Sequence, residues 1–146
     1  MRYLLDTNIW IAYLKGGNLK VRERLEATDK EQIAVCSVVW GELLYGARQY
    51  EKRSEREAKI EATLSPLLCL PFDLAAARHY ARIRDYLENS GQVIGGNDLM
   101  IASIALEHDL TMVTHNSEEY IRVPDLRVED WCVLGISGPS SVSQGH

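Results

Sequence analysis

No apolar run in the sequence approaches the roughly 20 residues that span a bilayer. The first residues do not read as a leader either, because their apolar stretch is cut by Asp6 and Asn8 and no small-residue cleavage pattern follows. A cytoplasmic protein without membrane contact is expected. Cysteine is sparse: Cys36, Cys69 and Cys132 lie far apart, with no Cys-x-x-Cys pair. That argues against a disulfide framework and against a zinc site, and all three read as reduced core residues. There is no glycine-rich phosphate loop; Gly16-Gly17 and Gly95-Gly96 are isolated pairs that read as turns. His79, His108, His115 and His146 lack the spacing and neighbours of Ser-His-Asp or Cys-His catalysis. Net positive charge is missing as well. The formal charge of −5 disfavours indiscriminate nucleic-acid binding. It leaves room for a nucleic-acid substrate, because basic residues cluster locally at Arg22 and Arg24, at Arg48, Lys52, Arg53 and Arg56, and at Arg78, Arg82 and Arg84. Taken singly, each also suits a solvated helix face.

What is present is an ordinary globular composition, 46% hydrophobic and 25% charged over 146 residues, enough for one domain with a real core. Residues 2–6 read as a buried strand, 9–14 and 19–27 as helices, and 33–36 as a second strand. Ser37 reads as the cap of a helix whose inner face carries Val39, Leu43, Gly46 and Tyr50. A charged helix over 51–64 ends at Ser65-Pro66, and 67–70 reads as a third strand. A long helix from 71 to about 89 turns Ala76, Tyr80, Ile83 and Leu87 inward and stops at Ser90-Gly91. Asn97-Asp98 opens the next helix, 110–114 is a fourth strand, and 128–133 suits a fifth. Residues 135–146, rich in Gly, Ser, Pro and Gln, are expected to be a disordered tail after a single domain spanning 1–134. Short strands alternating with helices predict an α/β fold, a three-layer α/β/α sandwich with a mostly parallel sheet of four to five strands.

In such sheets ligands bind beyond the carboxyl ends of the strands. Asp6 ends strand one, Glu42 follows strand two, Asn116 follows strand four, and Asp98 starts the helix leading into strand four. All four are expected at one edge of the sheet. Alone, Asp6 or Asp98 is also what a helix cap looks like, and Glu42 what a helix-edge carboxylate looks like. Glu42 stands out because its neighbours Val38, Val39, Leu43 and Leu44 are apolar. Converging buried carboxylates repel one another, and a hard divalent cation such as Mg²⁺ or Mn²⁺ relieves that repulsion. The pattern points to metal-dependent phosphate chemistry.

The order Leu-Leu-Asp-Thr-Asn, Ser-x-x-x-x-Glu-Leu-x-x-Gly-Ala (Ser37 to Ala47), Asp-Leu-x-Ile-Ala (Asp98 to Ala102) and Val-Thr-x-Asn (Val113 to Asn116) resembles PIN-domain ribonucleases, closest to VapC-type toxins of toxin–antitoxin pairs. The resemblance runs from about residue 2 to about 134 and includes Pro71-Phe72-Asp73, Val123-Pro124-Asp125-Leu126 and Glu129-Asp130-Trp131. It implies RNA cleavage with Mg²⁺ or Mn²⁺ held by Asp6, Glu42 and Asp98. Asn116 matches a fourth position that is Asp or Asn in the family; being neutral here, it adds no charge for a second ion. Thr7 and Asn8 match the polar pair that holds the first loop and its carboxylate, and Ser37 and Thr114 are candidate supporting hydroxyls. His115 falls at a variable position and reads as incidental, although a His beside a phosphate can aid proton transfer. The resemblance also implies transfer or ribosomal RNA as substrate, a small antitoxin laid over the active site, and a homodimer. Trp40, Tyr45 and Tyr50 suit either an interface or the core.

Other classes remain. A phosphatase with Asp6 as nucleophile usually needs a second Asp two residues on, where this chain has Asn8. A phospho-receiver needs an acidic pair at the first strand and a late Lys, and neither is found. A catalytically silent PIN-like binding module is the third alternative, and the three acids stand against it.

Overall fold

The computed structural model describes residues 1–133; the expectation of a disordered tail over 135–146 lies outside the described residues. Five parallel strands form the sheet: β1 (Tyr3–Leu5), β2 (Ile33–Cys36), β3 (Leu68–Leu70), β4 (Thr111–Val113) and β5 (Val128–Glu129), in the order β3-β2-β1-β4-β5. Tyr3 pairs with Ile33 on one side and with Thr111 on the other. Two helices, α1 (Thr7–Lys15) and α2 (Leu19–Glu26), connect β1 to β2; α3 (Ser37–Ala47) and α4 (Arg53–Leu64) connect β2 to β3. The return crosses through α5 (Leu74–Asn89) and α6 (Gly96–Glu107) to β4, and α7 (Ser117–Tyr120) leads to β5. The chain thus steps one way from β1 to β3 and then reverses. Right-handed crossovers put the helices of the two directions on opposite faces of the sheet, which gives the α/β/α sandwich.

Burial on both faces explains the strand composition. Leu4, Leu5, Ala34, Val35, Cys36, Met112 and Val113 are all fully buried, so these strands read as continuous apolar runs rather than alternating ones. Helix α6 is enclosed in the same way, with Ile101, Ala102, Ile104 and Ala105 fully buried. Three side-chain caps match their sequence signals: Asp6 accepts from the Ile9 N–H, Asn18 from Val21 and Asp73 from Ala76. Gly16 and Gly91 take positive φ (73° and 68°) where α1 and α5 end.

Several expectations need correction. Ser37 is the first residue of α3, not its cap; Cys36 holds the cap position without a side-chain bond. The buried face of α3 is Val39, Leu43 and Ala47, because the helix ends before Tyr50, which is exposed. Tyr45 is exposed too, so these two tyrosines are surface rather than core. Tyr80 is only half-buried, edge-on to Phe72 with ring centroids 5.8 Å apart. Cys69 lies exposed on β3, an edge strand that leaves Leu68 uncovered as well; only Cys36 is a core cysteine. The fifth strand is two residues long, and 130–133 turns away from it. Helix α7 carries no sequence signal that a four-residue turn could be read from.

Truncating α6 at its centre should be costly. Ile104→Ala is expected to lower unfolding free energy by about 2–5 kcal/mol in urea titration, whereas Ile121→Ala, exposed on the surface, should stay within about 0.5 kcal/mol of the parent. Equal effects would contradict the assignment of α6 as the enclosed helix.

Candidate active site at the strand carboxyl edge

The reversal of strand order falls between β1 and β4, and the chain leaving each strand there cannot cover the crevice. Asp6 stands at that point. Its backbone N–H donates to the Val113 carbonyl at 3.0 Å, which fixes the first residue after β1 against β4. The side chain is buried. Oδ1 accepts from the Ile9 N–H at 3.2 Å and Oδ2 from Thr114 Oγ1 at 2.5 Å. Asp6 is therefore a helix cap and a member of the acidic cluster at once; the two readings do not compete.

Glu42 reaches the same edge from α3. Thr7 Oγ1 donates to its Oε1, and Asn97 Nδ2 donates to Oε2 at 2.8 Å. Thr7 thus holds the acid of a neighbouring helix rather than Asp6, as the sequence suggested, and Asn97 is an orienting residue that the sequence reading passed over. Asp98 sits in the first turn of α6, after the cap residue Gly95, where free backbone N–H groups favour negative charge. It is half-buried and accepts from Tyr120 Oη at 3.2 Å. Asn116 opens α7, and its backbone N–H donates to Thr114 Oγ1 at 2.8 Å. Asn116 is tied to the site through Thr114, the hydroxyl that holds Asp6. Ser37 is exposed and, among the described residues, makes no hydrogen bond to these acids. His115 pairs with Asp130 at 3.0 Å instead.

The electrostatics show convergence. Burial pushes the Asp6 carboxyl up to about 6, against the hydrogen bonds from Thr114 and Ile9, and the charge of Asp98 adds to the rise. Asp98 is raised by burial, by Glu119 and by Glu42. Glu119, one turn beyond Asn116 on α7, is thus a fourth carboxylate at the site, and the sequence reading missed it because α7 was not foreseen. Tyr120, on the same turn, is held protonated by burial and by the charges of Asp98 and Asp6. The donor set is all oxygen, as Mg²⁺ or Mn²⁺ requires, and carboxylate oxygens that already accept one hydrogen bond keep a lone pair for a cation. The acids fit such an ion by chemistry and by shared repulsion.

An open parallel sheet with a reversal at its centre, its carboxyl edge lined by carboxylates that follow β1 and lie on α3, α6 and α7, is the architecture of a PIN domain. Residues 3–126 match the family model described as PIN domain, and the chain belongs to that family. Within it, the chain is 36% identical over 132 residues to "Ribonuclease VapC2" of Rickettsia felis, covering 90% of this chain and 98% of the relative. It is 38% identical over 131 residues to "tRNA(fMet)-specific endonuclease VapC" of Shigella flexneri, with the same coverage. Among solved structures, DNA-bound VapBC from Salmonella typhimurium superposes with a TM-score of 0.85 at 35% identity, over 90% of this chain and 99% of that one. VapBC2 from Rickettsia felis bound to a promoter DNA fragment gives 0.83 at 34%, with the same coverage. No helix of the described residues is long and apolar enough to cross a membrane.

The raised carboxyls make a signed prediction. A group whose folded pKa lies above its unfolded value binds more protons in the folded state, so its stabilisation is present at low pH and lost as pH rises. For Asp6 the window runs from about 4 to about 6. In EDTA the protein should melt higher at pH 5 than at pH 7, with Asp6 alone contributing about 1 kcal/mol between those two pH values. Asp6→Asn should flatten that slope and hold or raise the melting temperature at pH 7. A large drop at pH 7 would mean that the cap outweighs the repulsion.

Proposed function

We propose that this chain is a metal-dependent endoribonuclease and the toxin of a toxin–antitoxin pair, which hydrolyses RNA phosphodiester bonds through an activated water. The observation that carries the reading is the burial of Asp6 at the sheet reversal, coupled to Asp98 and through it to Glu42 and Glu119. Asp6, Glu42 and Asp98 are the proposed Mg²⁺ or Mn²⁺ ligands, with Glu119 adding charge. Bound there, the ion would neutralise a phosphate oxygen and lower the pKa of a water. The chain's own residues do the positioning. Thr114 aims Asp6, Thr7 and Asn97 aim the two oxygens of Glu42, and Tyr120 aims Asp98. Asn116 is proposed to orient water or phosphate. Transfer RNA is the favoured substrate, because a relative 38% identical bears the name of a tRNA(fMet)-specific endonuclease.

An antitoxin is the proposed partner, supported by the likeness to the VapBC complexes. A groove of about 410 Å³ between α1, α3 and α4 suits it. Ile11, Leu14, Leu43, Ala47 and Ile60 line its floor, Lys52, Arg56 and Lys59 its rim, and Glu42 lies at the catalytic end. Arg56 stacks over the exposed Tyr50 ring, 3.9 Å from its centroid. A segment with an apolar face and acidic flanks would fill this groove and present a cation to Glu42. A homodimer and a cytoplasmic site of action belong to the same proposal.

Purified free of antitoxin, the chain should cleave a structured RNA with Mg²⁺ or Mn²⁺ and stop in EDTA. Ca²⁺ should support turnover poorly, because it tolerates loose geometry. Asp98→Asn should lose several orders of magnitude in rate, and Asn116→Ala less. Equal cleavage by parent and Asp98→Asn would assign the activity to a contaminant.

The groove gives a separate test. Gly46 lines the groove, and a Cβ added there meets no neighbouring atom within 4 Å. Gly46→Leu should leave folding and RNA cleavage intact while freeing the toxin from its antitoxin in co-purification. Retained complex would move the antitoxin to another face.

A further inference from the structure

A second cluster of ligand-type side chains lies beside the acids. His115 follows β4, and Asp130 and Cys132 follow β5. Their ligand atoms, one imidazole nitrogen, one carboxylate oxygen and the thiol sulfur, all lie within 4.8 Å of one another. The acids about Asp6 form no such compact triple; among the described residues this is the set that closes so tightly. Three further observations show a built arrangement. His115 Nδ1 is 3.0 Å from Asp130 Oδ2. The other oxygen of Asp130 accepts from the Cys132 backbone N–H at 2.8 Å, which fixes the carboxylate in the turn. The Asp130 side chain is only 11% exposed, whereas that of His115 is 63% exposed, so the cluster is anchored on one side and open to solvent on the other.

We propose that His115, Asp130 and Cys132 form a second metal site, distinct from the oxygen-only catalytic cluster and selective for a borderline-soft divalent ion such as Zn²⁺. One nitrogen, one oxygen and one sulfur donor suit Zn²⁺ and do not suit Mg²⁺ or Mn²⁺. Three protein ligands with an open fourth position match a zinc site that keeps one water. Tetrahedral bonds of about 2.0–2.3 Å set donor–donor edges of about 3.3–3.8 Å, so the present cluster needs a closure of about 1.5 Å at most. Binding is a ligand exchange. The thiol proton leaves to solvent, the sulfur lone pair forms the metal bond, and the hydrated ion sheds all but one of its waters as the three protein ligands bind. Burial and the Asp130 carboxylate hold the free thiol up at about 11, which argues against a ready nucleophile.

Occupancy has a structural consequence. It would clamp the turn after β4, which carries Thr114 and Asn116, to the turn after β5. Thr114 holds Asp6 and Asn116 opens the helix that carries Glu119, so the second ion would stiffen one wall of the catalytic cleft. The absence of a Cys-x-x-Cys pair hid this site from the sequence, because its ligands come from two strand ends 15 residues apart (His115 to Asp130). The inference does not depend on the ribonuclease reading.

Co²⁺ titration of the full chain separates the two sites, because only a thiolate ligand gives a near-ultraviolet sulfur-to-cobalt charge-transfer band. The parent and Asp6→Asn should both develop the band, and Zn²⁺ should displace it while excess Mg²⁺ does not. Cys132→Ser should abolish it, and Cys69→Ser should not. Losing a mere supporting partner of a metal site costs about 10–100-fold in affinity, so His115→Ala should weaken Co²⁺ binding at least about tenfold. His115 is exposed, so its variant reports on ligation rather than folding, and a melting curve in EDTA unchanged from the parent checks this. Zn²⁺ should raise the melting temperature of the parent more than that of His115→Ala. The proposal is overturned if the parent shows no charge-transfer band at saturating Co²⁺. It is equally overturned if the band survives in Cys132→Ser, if its affinity is unchanged in His115→Ala, or if Asp6→Asn removes it.

Discussion

The buried carboxylate of Asp6 is the constraint around which the rest is arranged. An apolar strand enclosed on both faces ends in a charge that burial disfavours, and the chain answers with hydrogen bonds from Ile9 and Thr114. Two hydrogen bonds lower the carboxyl's pKa, yet the net shift stays upward. Moving Asp6 toward the surface would relieve it, but its backbone is locked to Val113 of β4, the strand adjacent to β1. The position is therefore set by sheet pairing, and the electrostatic cost follows from it.

The sheet order explains why the other acids share that edge. Parallel strands point their carboxyl ends the same way, so every helix that leaves a strand begins near the same rim. Glu42 lies in the second turn of α3, close enough for Asn97 at the start of α6 to reach its Oε2. Asp98 and Tyr120 meet across the rim from α6 and α7. Each acid is thereby held by a neighbour from a different element, and no single helix supplies both an acid and all its partners. A stable constellation of like charges then depends on the whole domain folding, which is consistent with sites built on rigid elements.

Most of this was legible in the sequence because parallel α/β proteins announce themselves through continuous apolar strands and capped helices. The runs at Leu4-Leu5, Ala34-Val35 and Met112-Val113, the caps Asn18 and Asp73, and the stops at Gly16 and Gly91 all carry local physical signals. Asp6, Glu42 and Asp98 could be placed at one edge from their distance to strand ends alone. What escaped were features that depend on contacts between elements. Helix α7 is too short for a periodic pattern, and Glu119 went unread with it. Thr7 was assigned to its own loop because sequence proximity says nothing about a bond to α3. Cys69 was placed in the core because a short apolar strand looks the same whether central or at an edge.

The same blindness has a physical source in chain connectivity. Ligands that come from one helix leave a spacing that can be read, as i and i+4 pairs do. Ligands that come from two adjacent strand ends leave none, because the intervening chain has whatever length the crossover needs. The acids at the rim were recoverable because each lies at a strand end or near a helix start, and Glu42 stands out among its apolar neighbours. His115, Asp130 and Cys132 lie in turn sequence where nothing marks them, although the fold brings their ligand atoms closer together than those of the acids. Hard oxygen donors and mixed nitrogen, oxygen and sulfur donors thus lie on neighbouring turns of one sheet edge, separated chemically rather than by distance. The preference of each donor set for a different class of ion is what would let two metals occupy that edge without exchanging places.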